Sequence, residues 1–187
     1  MNTPSPLKTP AKHKSRRALV LSIAGLAVGV GAGLSWWNQQ ESASTAGIAP
    51  LEGFWDLEWE TPEGKKLQMR SFQGSPILIN FWATWCPPCV EELPLLDAFY
   101  RENKPKGWQV LGLAVDKAAA VRGFLEKMPL GFPIAMAGFG GVDLGRNLGN
   151  LTGGLPFSVV IAKNGAIAQR KMGRLGVADL EAWRSLK

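Results

Sequence analysis

Cys86 and Cys89 are the only cysteines among 187 residues, and two prolines separate them. Two thiols at that spacing can form half of a tetrahedral zinc site, a structural bridge, or a reversible redox pair. Counting donors argues against zinc. Structural sites take four ligands, mostly Cys and His, and the chain offers only Cys86, Cys89 and His13, with His13 ahead of an apolar span. A structural bridge across two residues closes a very small loop and gains little. What remains is a redox-active Cys86–Cys89 disulfide, which needs no further cofactor and no metal.

The elements around the pair are legible. Pro76 to Trp82 is an apolar run suited to a fully buried strand. Ala83-Thr84-Trp85 forms a short turn, and Cys86-Pro87-Pro88-Cys89 opens a helix predicted to run to about Tyr100. Proline suits the first helical turn, whose N–H groups lack partners in any case. The helix dipole and free N–H groups stabilise a thiolate at the first cysteine, which makes that cysteine nucleophilic.

Residues 1–17 carry five cations, Lys8, Lys12, Lys14, Arg16 and Arg17, and no acid. Ala18 to Trp37 then runs for 20 residues without a charge, the length needed to span a bilayer. The basic flank predicts an N-in, C-out orientation with residues 38–187 exported, and Trp36 and Trp37 stand where an interfacial anchor would. A cleaved signal peptide is the competing reading, with Ser44-Thr45-Ala46 as a weak site beyond the apolar run. Gly25, Gly29 and Gly33 form a small-xxx-small stripe. That pattern suits a weak homodimer through the anchor, and equally the ordinary glycine content of such spans. Without the five leader cations, 16 Lys and Arg face 15 Asp and Glu. The exported part is near neutral, and nothing in its charge points to nucleic acid.

Residues 38–50 are small and polar and read as a tether. Phe54 to Phe72 is predicted as a hairpin turning at Thr61-Pro62-Glu63-Gly64, placed to cover a sheet edge. Trp108 to Val115 is a strand, and Asp116 an N-cap for a helix over Lys117–Met128. A short strand over Phe132–Ala137 and a short helix over Val142–Leu148 follow. Phe157–Ala162 and Ala166–Lys171 pair across Lys163-Asn164-Gly165, and an amphipathic helix over Val177–Leu186 closes the chain. Alternating strands and helices ending in a hairpin and helix predict an α/β fold with a mixed sheet.

With these residues in place, the chain over about residues 50–187 resembles the thioredoxin superfamily, in its membrane-tethered TlpA/ResA-like branch that includes cytochrome c maturation thioredoxins. Phe81-Trp82-Ala83-x-Trp85-Cys86-x-Pro88-Cys89, Pro94 five residues later, and Leu155-Pro156 before the strand FSVVIAKNG carry the likeness. It implies a thioredoxin-like fold for residues 51–187, with an N-terminal hairpin and an insertion over 117–150. It also implies that Cys86 attacks a substrate disulfide and Cys89 resolves the mixed disulfide. Pro156 would be the family's cis-proline, turning the backbone of Leu155 toward an extended substrate beside Trp85, Pro87 and Pro88. Two departures stand out. The buried Asp of thioredoxins proper is Asn80 here, which exchanges no proton at neutral pH. The branch instead points to Glu92 as the proton-handling carboxylate, although a helix-surface acid is an equal reading. Phe157 follows Pro156 where a small polar residue is common, predicting a more apolar groove.

A peroxiredoxin-like thiol peroxidase would want a Thr where Ala83 stands, and a tethered binding or chaperone module would work without Cys86. The expected function is disulfide reduction of exported proteins on the periplasmic face of a bacterial inner membrane. The resemblance implies recharging by a membrane electron donor of the DsbD/CcdA type. The expected potential lies between the superfamily extremes, at roughly −200 to −270 mV.

Overall fold

The computed structural model describes residues 52–186. The basic leader, the uncharged span over 18–37 and the tether over 38–50 lie outside the described residues. Among those described, no helix is long and apolar enough to cross a membrane.

The fold is organised around β3 (Ile77–Trp82), every residue of which is buried. A strand apolar at every position but Asn80 needs both faces covered, and here they are. β3 pairs parallel with β4 (Gln109–Ala114) on one side and antiparallel with β6 (Phe157–Ile161) on the other. β5 (Ile134–Met136) extends the parallel side and β7 (Ile167–Met172) the antiparallel side. The predicted hairpin, reduced to β1 (Glu58–Glu60) and β2 (Lys66–Gln68), adds to β5 at the edge through Glu60 opposite Met136. The sheet order is β2-β1-β5-β4-β3-β6-β7.

Alternation along β3 splits the core in two. Leu78 and Trp82 face α1 (Pro87–Asn103), which contributes Leu93, Leu96, Phe99 and Tyr100. α2 (Ala118–Lys127) and α4 (Val177–Trp183) join the same face through Val121, Leu180 and Trp183. Ile77, Ile79 and Phe81 point to the other face, covered by Phe54, Met69, Phe72 and by Leu144 of α3 (Gly138–Asn147). Each such large side chain fully removed from water contributes about 1.5–3 kcal/mol.

The differences from expectation are local. α3 begins four residues before the predicted start, because Gly138, Gly140 and Gly141 lower helix propensity and hide its first turn. Packing requires one of them: a Cβ on Gly141 would lie 2.5 Å from Ala137 Cβ. α1 runs three residues past Tyr100, with Asn103 Nδ2 donating to the Phe99 carbonyl at 2.9 Å. α4 stops at Trp183, short of Leu186. Pro94 lies inside α1, where it removes one helical hydrogen bond.

Candidate active site

Cys86 is the N-cap of α1, with extended backbone at φ −103° and ψ 100°. Its carbonyl accepts the N–H groups of Cys89 and Val90 at 3.0 and 3.1 Å. Cys89 lies one helical turn in, and the two sulfurs are joined in a disulfide with Cα atoms 5.3 Å apart. Cys86 keeps 5% of its surface open, while Cys89 is sealed at 0%. Pro87 and Pro88 are exposed beside them.

Beneath the pair, one turn further along α1, lies Glu92. It is 1% exposed, so it is no helix-surface acid. Its Oε1 accepts from Asn80 Nδ2 at 2.7 Å and its Oε2 from the Leu175 N–H at 2.6 Å. Asn80 Nδ2 also donates to Ser158 Oγ at 2.9 Å. Asn80 and Ser158 stand opposite each other in the β3–β6 ladder, both on the face that α1 covers. Burial pushes the Glu92 carboxyl above its ordinary 4.5, against the opposing pull of Leu175, Asn80, Arg174 and Lys171. The N–H donors bind the charged form, but desolvation outweighs them.

A second carboxylate holds the turn before Cys86. Asp116 Oδ2 accepts both the N–H and the hydroxyl of Thr84, at 2.9 and 2.6 Å. Its Oδ1 accepts the Lys117 N–H at 2.7 Å. The predicted capping role is therefore corrected: the N-cap of α2 is Lys117, and no side chain caps it. Asp116 instead spends one oxygen on the active-site turn. Partial burial would raise its carboxyl, but the Thr84 hydroxyl and the two N–H groups prevail and hold it below 3.8.

The edge beside Cys86 is apolar. Trp85 is 65% exposed, Leu155 is half-buried, and the Leu155–Pro156 peptide is cis. Phe157, expected in the groove, is 2% exposed and packs its ring on Phe81 at 5.7 Å between centroids. The β3–β6 register pairs Phe157 with Phe81, which turns both side chains into the core away from α1. Met172, opposite Phe157 in β7, is 46% exposed. Ser158 and Leu175 join the site with no motif around them to announce it. Alternation from Phe157 marks Ser158 as facing α1, but nothing local marks Leu175. Among the described residues, no three His, Cys, Asp or Glu side chains gather at a possible metal site.

Residues 56–182 match the Redoxin family. The thiol-disulfide oxidoreductase ResA of Bacillus cereus is 31% identical over 170 residues, spanning 89% of this chain and 92% of that protein. A thioredoxin-related protein from Neisseria meningitidis serogroup B superposes with a TM-score of 0.62 at 29% identity, over 69% of this chain and 97% of that one. A thiol:disulfide interchange protein from Chlorobium tepidum gives a TM-score of 0.64 at 24% identity, over 75% and 94%, a likeness of fold.

Proposed function

This chain belongs to the Redoxin family, in the TlpA/ResA-like branch of thiol-disulfide oxidoreductases, and from that premise we propose that it reduces disulfides of exported proteins while held at the membrane. The observation that carries the reading is the Cys86–Cys89 disulfide, open at Cys86 and sealed at Cys89, above the buried Glu92. The reduced Cys86 thiolate attacks one sulfur of a substrate disulfide. The substrate S–S bond breaks, and its first sulfur leaves as a thiolate and takes a proton from solvent. Cys89 then gives its proton to Glu92 and attacks Cys86 Sγ. The mixed disulfide breaks, the substrate leaves with two electrons, and Cys86 and Cys89 are left joined. Trp85, Pro87, Pro88, Leu155 and Pro156 form the edge against which the substrate lies.

The direction of electron flow follows from compartment and tether. In an oxidising compartment a diffusible dithiol is oxidised by the disulfide-forming machinery. A chain anchored by residues 18–37, N-in and C-out, is instead recharged by a membrane dithiol donor of the DsbD/CcdA type. The test is the reduction potential of the full chain in detergent, equilibrated with glutathione buffers and read by Trp85 fluorescence, alongside insulin reduction. A potential of roughly −200 to −270 mV with insulin reduced is expected. A value near about −120 mV, with no insulin reduction, reverses the direction and leaves a disulfide donor.

A further inference from the structure

Glu92 is held by a side chain that carries no charge and no proton to exchange, yet lies as deep as the carboxylate itself. Asn80 and Ser158 are both 0% exposed, and Glu92 is 1% exposed. Asn80 Nδ2 serves two acceptors, Glu92 Oε1 at 2.7 Å and Ser158 Oγ at 2.9 Å. Asn80 Oδ1 has no partner among the described residues. The amide is thus turned with both N–H bonds toward Glu92 and Ser158. A half-turn would set Oδ1 against the carboxylate, acceptor against acceptor. The acceptor-only carboxylate therefore sets the orientation, and Ser158, 78 residues away in sequence and opposite Asn80 in the ladder, accepts the second N–H and ties the amide down.

We propose that Asn80 is a positioning residue for Glu92: steadied by Ser158, it aims its amide N–H at the carboxylate so that Glu92 both accepts and returns the proton of Cys89. This rests on the reading of Glu92 as the proton acceptor. The cycle needs both directions. When Cys89 attacks Cys86, the proton of the Cys89 thiol passes to Glu92. When a donor dithiol reduces the Cys86–Cys89 bond, two electrons enter, the S–S bond breaks, and the Cys89 thiolate takes the proton back.

A carboxyl in an apolar site without donors would hold its proton too tightly to exchange it near neutral pH. The cations facing Glu92 are Lys171 of β7 and Arg174 of the β7–α4 loop. Each also has an acid of its own, Asp179 at 2.5 Å and Glu91 at 2.8 Å. Asn80 is the one side chain hydrogen-bonded to the Glu92 carboxylate among the described residues, the other donor being the Leu175 backbone.

The test uses the full chain in detergent micelles, oxidised so that no thiol titrates, with glutamate side chains labelled with carbon-13. The Glu92 carboxyl signal is identified by its loss in Glu92→Gln. In Asn80→Ala the Glu92 midpoint is expected to rise by about one pH unit, the loss of one charge-assisted hydrogen bond. Ser158→Ala is expected to raise it less, and Ser158→Thr, which keeps the hydroxyl, to leave it unchanged. The pH profile of insulin reduction should move in the same direction in Asn80→Ala. Should that variant not fold, the two Ser158 variants carry the test. A Glu92 midpoint unmoved in Ser158→Ala and in any folded Asn80→Ala overturns the proposal, as does Ser158→Thr shifting as far as Ser158→Ala. If Glu92→Gln keeps the wild-type pH profile while the midpoint still moves in the Asn80 and Ser158 variants, the proton-acceptor role fails and the positioning by Asn80 stands.

Discussion

Glu92 and Asp116 flank the same cysteine turn, one below it and one beside it. Glu92 accepts two hydrogen bonds at 1% exposure, and Asp116 accepts three while partly exposed to solvent. Desolvation prevails at the first and raises the carboxyl; donors prevail at the second and lower it. Two acids near one dithiol can therefore take different work. Depth fits Glu92 to proton transfer, while Asp116 stays an anion that clamps Thr84. The number of donors alone does not set the sign; the water each carboxylate has lost must be counted as well.

The comparison makes its strongest demand on turnover. On the proposed mechanism Glu92→Gln removes the proton acceptor of Cys89, and it is expected to slow insulin reduction at neutral pH about a hundredfold, the lower end for general acid–base groups. Asp116→Asn keeps the shape of the clamp and should cost less than about tenfold, as expected for a group outside the proton path. Equal losses would erase the distinction between the two acids.

Stability against pH is the next largest effect, and its sign differs between the two sites. Glu92 titrates above 4.5 in the folded chain, so ionising it weakens the fold. Its favourable contribution is complete below 4.5 and is lost as pH rises through its raised folded value. Glu92→Gln should therefore gain stability over wild type as pH climbs through that window. Asp116 titrates below 3.8, so its contribution is present above that value and is lost as pH falls through its folded one. Asp116→Asn should be weaker than wild type at neutral pH and converge with it in acid. Urea melts across pH give both difference curves, and parallel slopes would refute the contrast.

Thr84→Val tests the clamp alone. It removes the hydroxyl that donates to Asp116 at 2.6 Å and leaves the N–H in place. The expected cost is about 1 kcal/mol of unfolding free energy, with the Glu92 titration unmoved and Thr84→Ser restoring the loss. The smallest effect belongs to Arg174→Gln, which breaks an ion pair to Glu91 whose side chains are 58% and 60% exposed. A stability change under about 0.5 kcal/mol is expected, because exposed pairs gain little. A larger change would mean that Arg174 acts mainly through Glu92.

Much of the fold and the cysteine tip could be read along the chain. Ile77 to Trp82 is apolar but for Asn80, and the strand is buried throughout. Pro87 and Pro88 follow Cys86, and α1 starts there. Lys163-Asn164-Gly165 marked a turn, and the ladder closes around it with the Ala162 N–H on the Ala166 carbonyl at 2.8 Å. These features depend on neighbours within a few residues, where proline, glycine and periodicity act. Other features depend on partners that chain order does not reveal. Phe157 went to the core because its ladder partner is Phe81, and Asp116 turned from capping α2 to holding Thr84, 32 residues away. Glu92 is met by Leu175 across 83 residues, and Asn80 by Ser158 across 78. The sequence by itself determined that two thiols would sit at a helix tip on a buried strand, since helix starts and strand burial follow from local residue types. Only the tertiary structure decided what each carboxylate does, since a carboxyl's proton affinity sums over every donor, charge and lost water around it, wherever along the chain those groups originate.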